Sequence, residues 1–277
     1  MFSCYTLIMM SFFKIRKAFF AVLLFCGLAL VLPAENIDLG INSEWYPNIF
    51  PETGTIFSQP FLDFRGFIYL PTADWKTLVA VESSHRDTWH LVRAEAGAVW
   101  VWGGPFYSEA RYSLGIDSQA AWHHRAYMDL FMEKDRYYLT GSVKGGLSSQ
   151  PQEGQTDWFW QGMGGATFYP NSWQQYNLRG YVDYESINDA GLQQWQLSLS
   201  TWTRQMVNNT FFFQASAGAG IRLFPAGDQP ELFASLAIGP GFNLGANWAV
   251  LLLYNQDFPA TGRSTRINTM LTGRLGS

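Results

Sequence analysis

From Phe106 to Asp117 the chain changes character at every residue. Phe106, Ala110, Tyr112, Leu114 and Ile116 fall on one side, and Tyr107, Glu109, Arg111, Ser113 and Asp117 on the other. A period of two is that of a strand. After Ser118-Gln119 the run Trp122 to Glu133 repeats the pattern, with Trp122, Ala126, Met128, Leu130 and Met132 against His123, Arg125, Tyr127, Asp129, Phe131 and Glu133. Together these runs predict an antiparallel hairpin with one apolar and one ionic face. Similar alternation predicts further strands over 36–45, 60–70, 77–84, 89–102, 137–147, 157–169, 173–185, 192–203, 211–223, 231–238, 248–254 and 264–275. That makes about fourteen, or twelve if one hairpin is misread, and helical periodicity is absent beyond residue 34.

Two architectures accommodate such strands. In a soluble sandwich the apolar faces pack against each other; in a membrane barrel they meet lipid while the ionic faces line a lumen. The connections favour the barrel. Those after even strands are compact, as at Pro71-Thr72-Ala73-Asp74, Gly103-Gly104-Pro105, Lys134-Asp135-Arg136 and Pro170-Asn171-Ser172, whereas those at 46–59, 148–156, 187–191 and 256–263 are longer and more polar. Gly239 to Asn247 is predicted to be a long exception, and His85-Arg86-Asp87 a short one. Aromatic residues gather at strand ends: Trp75, Trp102, Phe106, Tyr137, Tyr169, Trp173 and Trp248 beside the compact turns, Trp45, Trp89, Trp122 and Trp158 at the opposite ends. Tryptophan prefers membrane–water boundaries, while a sandwich core would hold it mid-strand. The prediction is an all-β, single transmembrane antiparallel up-and-down barrel.

The first 34 residues read as a cleaved signal peptide. Lys14, Arg16 and Lys17 precede the apolar run Ala18 to Leu32, and Val31-Leu32-Pro33-Ala34 leads to a cut before Glu35. The apolar run is shorter than the roughly twenty residues a spanning helix needs. Residues 35–277 then form the barrel domain, with net charge −4 in the full chain falling to −7 once three basic residues leave. Both cysteines, Cys4 and Cys26, leave with the signal, which excludes disulfides and thiolate metal sites. Charged residues at 14% are few against the quarter typical of soluble chains, and no basic run is long enough for nucleic acid.

Over its mature length this pattern resembles Gram-negative-type outer-membrane β-barrel proteins, at the size of the small single-chain porins. Members commonly end on a strand with a terminal aromatic; this chain ends Leu271-Thr272-Gly273-Arg274-Leu275-Gly276-Ser277. The resemblance implies residence in the cell outer membrane with both mature termini periplasmic. Its partners would be outer-membrane lipid, the assembly machinery and small hydrophilic solutes.

The ionic faces supply the candidate lumen-lining residues: Arg65, Arg93, Glu95, Glu109, Arg111, Arg125, Asp129, Arg179 and Asp183. Rings of charge filter solutes in pores, so a porin-like channel with a mixed-charge lumen is the leading reading. The alternatives are a non-conducting structural or surface-interaction barrel and a surface lipid hydrolase. The last would pair His124, on the apolar face, with a nearby serine among Ser83, Ser84, Ser108 and Ser118; no Gly-x-Ser-x-Gly elbow supports it, and the chain reads as a non-enzyme. No cofactor is implied. Neighbouring His123 and His124 point to opposite faces of a strand and cannot share a metal, and Gly162 to Gly165 lacks the helix of a phosphate loop. Intact mass of the protein extracted from bacterial outer membranes should show a chain beginning at Glu35.

Overall fold

A computed structural model describes residues 36–47, 57–71, 75–86, 89–150, 155–187, 192–225, 229–258 and 264–275. The signal segment 1–34 lies outside the described residues. Fourteen strands succeed one another: β1 Asn36–Pro47, β2 Phe57–Pro71, β3 Trp75–Arg86, β4 Trp89–Gly103, β5 Phe106–Asp117, β6 Trp122–Lys134, β7 Tyr137–Gln150, β8 Gln155–Asn171, β9 Gln174–Ile187, β10 Leu192–Met206, β11 Phe211–Leu223, β12 Glu231–Asn243, β13 Trp248–Phe258 and β14 Ser264–Leu275. Each pairs antiparallel with its sequence neighbours, and β14 returns to β1 from Ile37↔Leu275 to Trp45↔Ile267, closing the barrel. Closure leaves no strand edge with unpaired backbone groups, the condition for a sheet to stand in lipid. The shortest strand has 11 residues and the longest 17, enough to cross a bilayer at the usual tilt.

Register holds the two faces apart all the way round. Residues directly opposite share a side, and Val92, Tyr112, Leu114, Met128, Leu130, Val143, Leu178, Leu197, Leu199, Leu236 and Ile238 all stand exposed on the outside. At the short-turn end Trp75, Trp102, Phe106 and Tyr137 are exposed on the same surface, Trp173 is exposed in the turn before β9, and Tyr169 instead accepts a hydrogen bond from the inward-facing Gln175 at 3.2 Å. At the loop end Trp158, Tyr184, Trp160 and Trp195 form a contiguous aromatic cluster with ring separations of 4.6 to 5.4 Å. Where outward residues are small, at Ala215 and Ala217, the surface dips into a groove of about 730 Å³ bounded by Tyr176, Leu236, Ile238 and Tyr254. This is the inside-out arrangement of a membrane barrel; a sandwich would have buried Leu114, Met128 and Leu178.

Several strands run further than their sequence pattern predicts. The predicted loop over 148–156 shrinks because β7 continues to Gln150 and β8 begins at Gln155. The long connection expected over 239–247 is in fact strand as far as Asn243. Gly239, Pro240 and Gly241 have the composition of a turn but serve the ladder. Gly241 lies opposite Phe212, whose ring packs where a Cβ would stand. Pro240 lacks an N–H, and pairing with β13 skips from Ile238 to Gly241. His85 and Arg86, expected in a turn, end β3 instead.

The connection Gly103-Gly104-Pro105 has both glycines at positive φ, 96° and 60°. Connections on this end span two to four residues, and those on the other end two to nine.

The neighbours Ser142 and Val143 test this sidedness at the middle of β7. Val143, 61% exposed, faces outward, and Ser142 faces inward opposite Asp129. Val143→Arg should lower stability in bilayers by about 2–4 kcal/mol. Ser142→Arg should change it little, as read from urea unfolding of vesicle-embedded protein.

Candidate functional site: the ionic inner wall

All nine residues singled out from sequence sit on the inner wall, and β2 to β6 bring six of them into one neighbourhood. Glu109 and Arg111 are two apart on β5 and so share the inward face, with Asp129 of β6 directly across from Glu109. Arg111 is the hub. Its Nη1 donates to Glu95 Oε1 at 3.0 Å and its Nη2 to Asp129 Oδ2 at 2.7 Å. Its Nε lies 2.7 Å from Glu109 Oε1, an ion pair whose angle does not make a hydrogen bond. The guanidinium also lies over the ring of Tyr127 at 4.6 Å. Arg65 adds a second, looser cation to Glu95 at 3.7 Å.

Arg93 is 1% exposed and donates through Nη1 to Glu82 Oε2 at 2.8 Å. Its Nε and Nη2 have no hydrogen-bond partner among the described residues. Glu82 is not among the nine, although the strand parity that places Arg93 and Glu95 also places Glu82 opposite Arg93.

The other three predicted residues form a more basic sector. Arg125 of β6 lies over the Phe159 ring at 5.4 Å. Arg179 and Asp183 face inward from β9, where Asp183 accepts from Gln161, and Lys144 of β7 lies across from Gln161. At the loop end, Asp117 Oδ1 accepts from the backbone of Gln119 and Ala121, shaping the turn in which Ala120 takes φ 62°, while its Oδ2 meets His123 Nε2 at 3.0 Å.

Opposite this ionic half the wall is different. Between Phe212 and Gly220, Phe233 and Gly241, and Leu251 and Asn255, the inward positions of β11 to β13 carry no charge and many are Gly, Ala or Ser. Toward the short-turn end Phe212, Leu251 and Leu253 pack together with Met206 and Met270. Across from them Tyr107, Phe131 and Tyr138 stack at 4.6 and 5.7 Å. The lumen is thus ionic along one side and narrowed by apolar rings toward one end.

His124 lies on the outer face, where its Nδ1 is 2.6 Å from the Tyr112 hydroxyl. Among the described residues its partner there is Tyr112 rather than any of Ser83, Ser84, Ser108 and Ser118. Groups of three or more metal-ligating side chains are absent among the described residues.

Closed, antiparallel, apolar outside and ionic within, the chain has the fold of bacterial outer-membrane β-barrels. It is similar to a loop-deletion variant of OmpT, an outer membrane protein of Vibrio cholerae, at 8% identity and TM-score 0.58, covering 87% of this chain and 98% of that one. It is similar also to an outer membrane channel from Pseudomonas putida F1, at 10% identity and TM-score 0.54, covering 88% and 97%. A third is the outer membrane channel DcaP of Acinetobacter baumannii, at 8% and 0.53, covering 87% and 96%. No protein-family model matches the sequence, and curated proteins give no significant match.

Arg111 compensates three carboxylates at once. Breaking a buried ion pair by removing one partner costs about 3–5 kcal/mol. Arg111→Ala should therefore lower the barrel's unfolding midpoint in urea. Adding Glu95→Gln and Asp129→Asn to it should recover most of the loss.

Proposed function

We propose that this protein is an outer-membrane channel that passes small hydrophilic solutes along a mixed-charge lumen. The carrying observation is the closed fourteen-strand barrel whose inward residues are ionic on one side and small on the other. About eight strands give an interior that side chains just fill, and sixteen to eighteen leave an aqueous channel. Fourteen strands leave space beyond what the side chains occupy. The similarity to outer membrane channels of Pseudomonas and Acinetobacter supports the same reading.

In this reading Arg65, Arg93, Glu95, Glu109, Arg111, Arg125, Asp129, Arg179 and Asp183 line the path. Their signs nearly balance, so the pore discriminates weakly between anions and cations. The two mature ends and the short turns face the periplasm, and the longer connections face outward. A second reading, a barrel closed by its own ion pairs, draws on the near-complete burial of Arg93 against Glu82.

Planar-bilayer recording separates the two. The channel reading expects discrete conductance steps with a reversal potential near zero in a potassium chloride gradient. Phe212→Ala should enlarge the step by opening the apolar narrowing, and Arg111→Ala should shift the reversal potential toward cation preference. Folded protein that inserts yet gives no step above the lipid blank leaves the closed barrel standing.

A further inference from the structure

Ser83 and His85 are two apart on β3, so strand periodicity sends both side chains to the same face. Register fixes which face. Ser83 lies opposite Val92, Val92 opposite Ile116 and Ile116 opposite Trp122, and the last three are exposed on the outside. His90 is the cross-strand partner of His85.

The outcome is a line of contacts on the outer wall. Ser83 Oγ is 2.7 Å from His85 Nε2, and His85 Nδ1 is 3.1 Å from His90 Nδ1. For neutral rings one Nδ1 must donate and the other accept. When His85 donates from Nδ1 to His90, its Nε2 keeps a lone pair toward the Ser83 hydroxyl, which then donates. That is a nucleophile, a general base and an orienting third group in the order that acyl transfer requires. His90 is held in turn by Ser118: its N–H donates to Ser118 Oγ at 3.2 Å, and its carbonyl accepts from Ser118 N at 2.8 Å.

Location gives the substrate class. Ser83 and His85 lie three and one residues before Arg86, the loop end of β3, and Trp122, 43% exposed at the loop end of β6, is an aromatic of the kind that marks the membrane boundary. Lipid ester bonds lie at that depth, between headgroup and acyl chain.

The geometry points to a second, catalytic function: Ser83, His85 and His90 hydrolyse acyl esters of membrane lipids on the barrel's outer wall. Ser83 Oγ attacks the ester carbonyl carbon while His85 Nε2 takes the hydroxyl proton. Collapse of the tetrahedral intermediate breaks the carbon–oxygen bond to the alcohol, which leaves with the proton from His85. Water then attacks the acyl-serine and gives a proton to His85; collapse releases the fatty acid and returns that proton to Ser83 Oγ. Ser83 is 1% and His85 7% exposed, with Phe64 directly across from Ser83 on β2. Set on the lipid-facing wall, the site should act on aggregated lipid rather than on dispersed short esters. The inference needs the barrel to stand in a membrane, and it is independent of whether the lumen conducts.

The test uses the full mature chain refolded into mixed micelles of phosphatidylcholine and detergent. It measures fatty acid release and labelling by a fluorophosphonate probe, with β-sheet circular dichroism and heat-dependent gel mobility verifying the fold of each variant. Release above protein-free micelles and one adduct mapping to Ser83 are expected. Ser83→Ala and His85→Ala should each lower release by at least about a hundredfold. His90→Ala should lower it less and shift its pH profile, as befits a positioning residue. His124→Ala, engaged with Tyr112 on the same outer face, should leave it unchanged. Folded wild type that gives neither release nor adduct overturns the proposal, as does release that survives Ser83→Ala. Release abolished by EDTA and restored by zinc overturns it too, and would make the two histidines metal ligands.

Discussion

Every backbone N–H and C=O that enters hydrocarbon must find its partner within the protein, and a sheet meets that demand only by closing on itself. The β1 to β14 ladder is where this chain does so. Once the sheet is closed, the alternation of side chains stops being a local preference and becomes a global sorting rule. A one-residue slip in any hairpin would turn a row of arginines toward lipid and a row of leucines toward water. The consistent sidedness of Leu114, Met128 and Leu178 outside and Glu109, Arg111 and Asp183 inside is the imprint of that constraint.

Gathered into an enclosed space, the charges of the inner wall organise one another. Arg111 holds Glu95, Glu109 and Asp129 because strands deliver one side chain per two residues and neighbouring strands deliver theirs at the same level. Such a lattice can be made stiff and specific without a single helix or loop. The cost appears at Arg93, whose buried guanidinium leaves Nε and Nη2 without a hydrogen-bond partner among the described residues.

Much of this is legible in the sequence, because period two survives every change of composition. Alternation alone bounds β5, β11 and β14 where the structure does, and the strand number comes with it. The misplaced boundaries lie at strand ends, where glycine and proline have two uses. Gly239-Pro240-Gly241 reads as a turn until Phe212 is seen lying across Gly241. His85-Arg86 reads as a turn because the connection after it is very short, and that boundary hides the pairing of Ser83 with His85. A serine two residues before a histidine, with a second histidine five further on, is a visible signal once the strand is extended to its true end. The ion-pair partners are harder: parity places Glu82 and Arg93 on one side, but which cation meets which carboxylate depends on stagger that alternation does not encode.

The uncharged wall of β11 to β13 has a consequence for the shape of the interior. In a ring of fourteen, β5 and β12 stand diametrically apart, so the long guanidinium and carboxylate side chains around Arg111 reach in from one flank while glycine, alanine and serine stand on the far flank. The interior is therefore asymmetric about the barrel axis, with its long side chains on the β5 flank and its short ones on the β12 flank. The two flanks thus differ in kind, a fixed array of charge facing a stretch of nearly bare backbone.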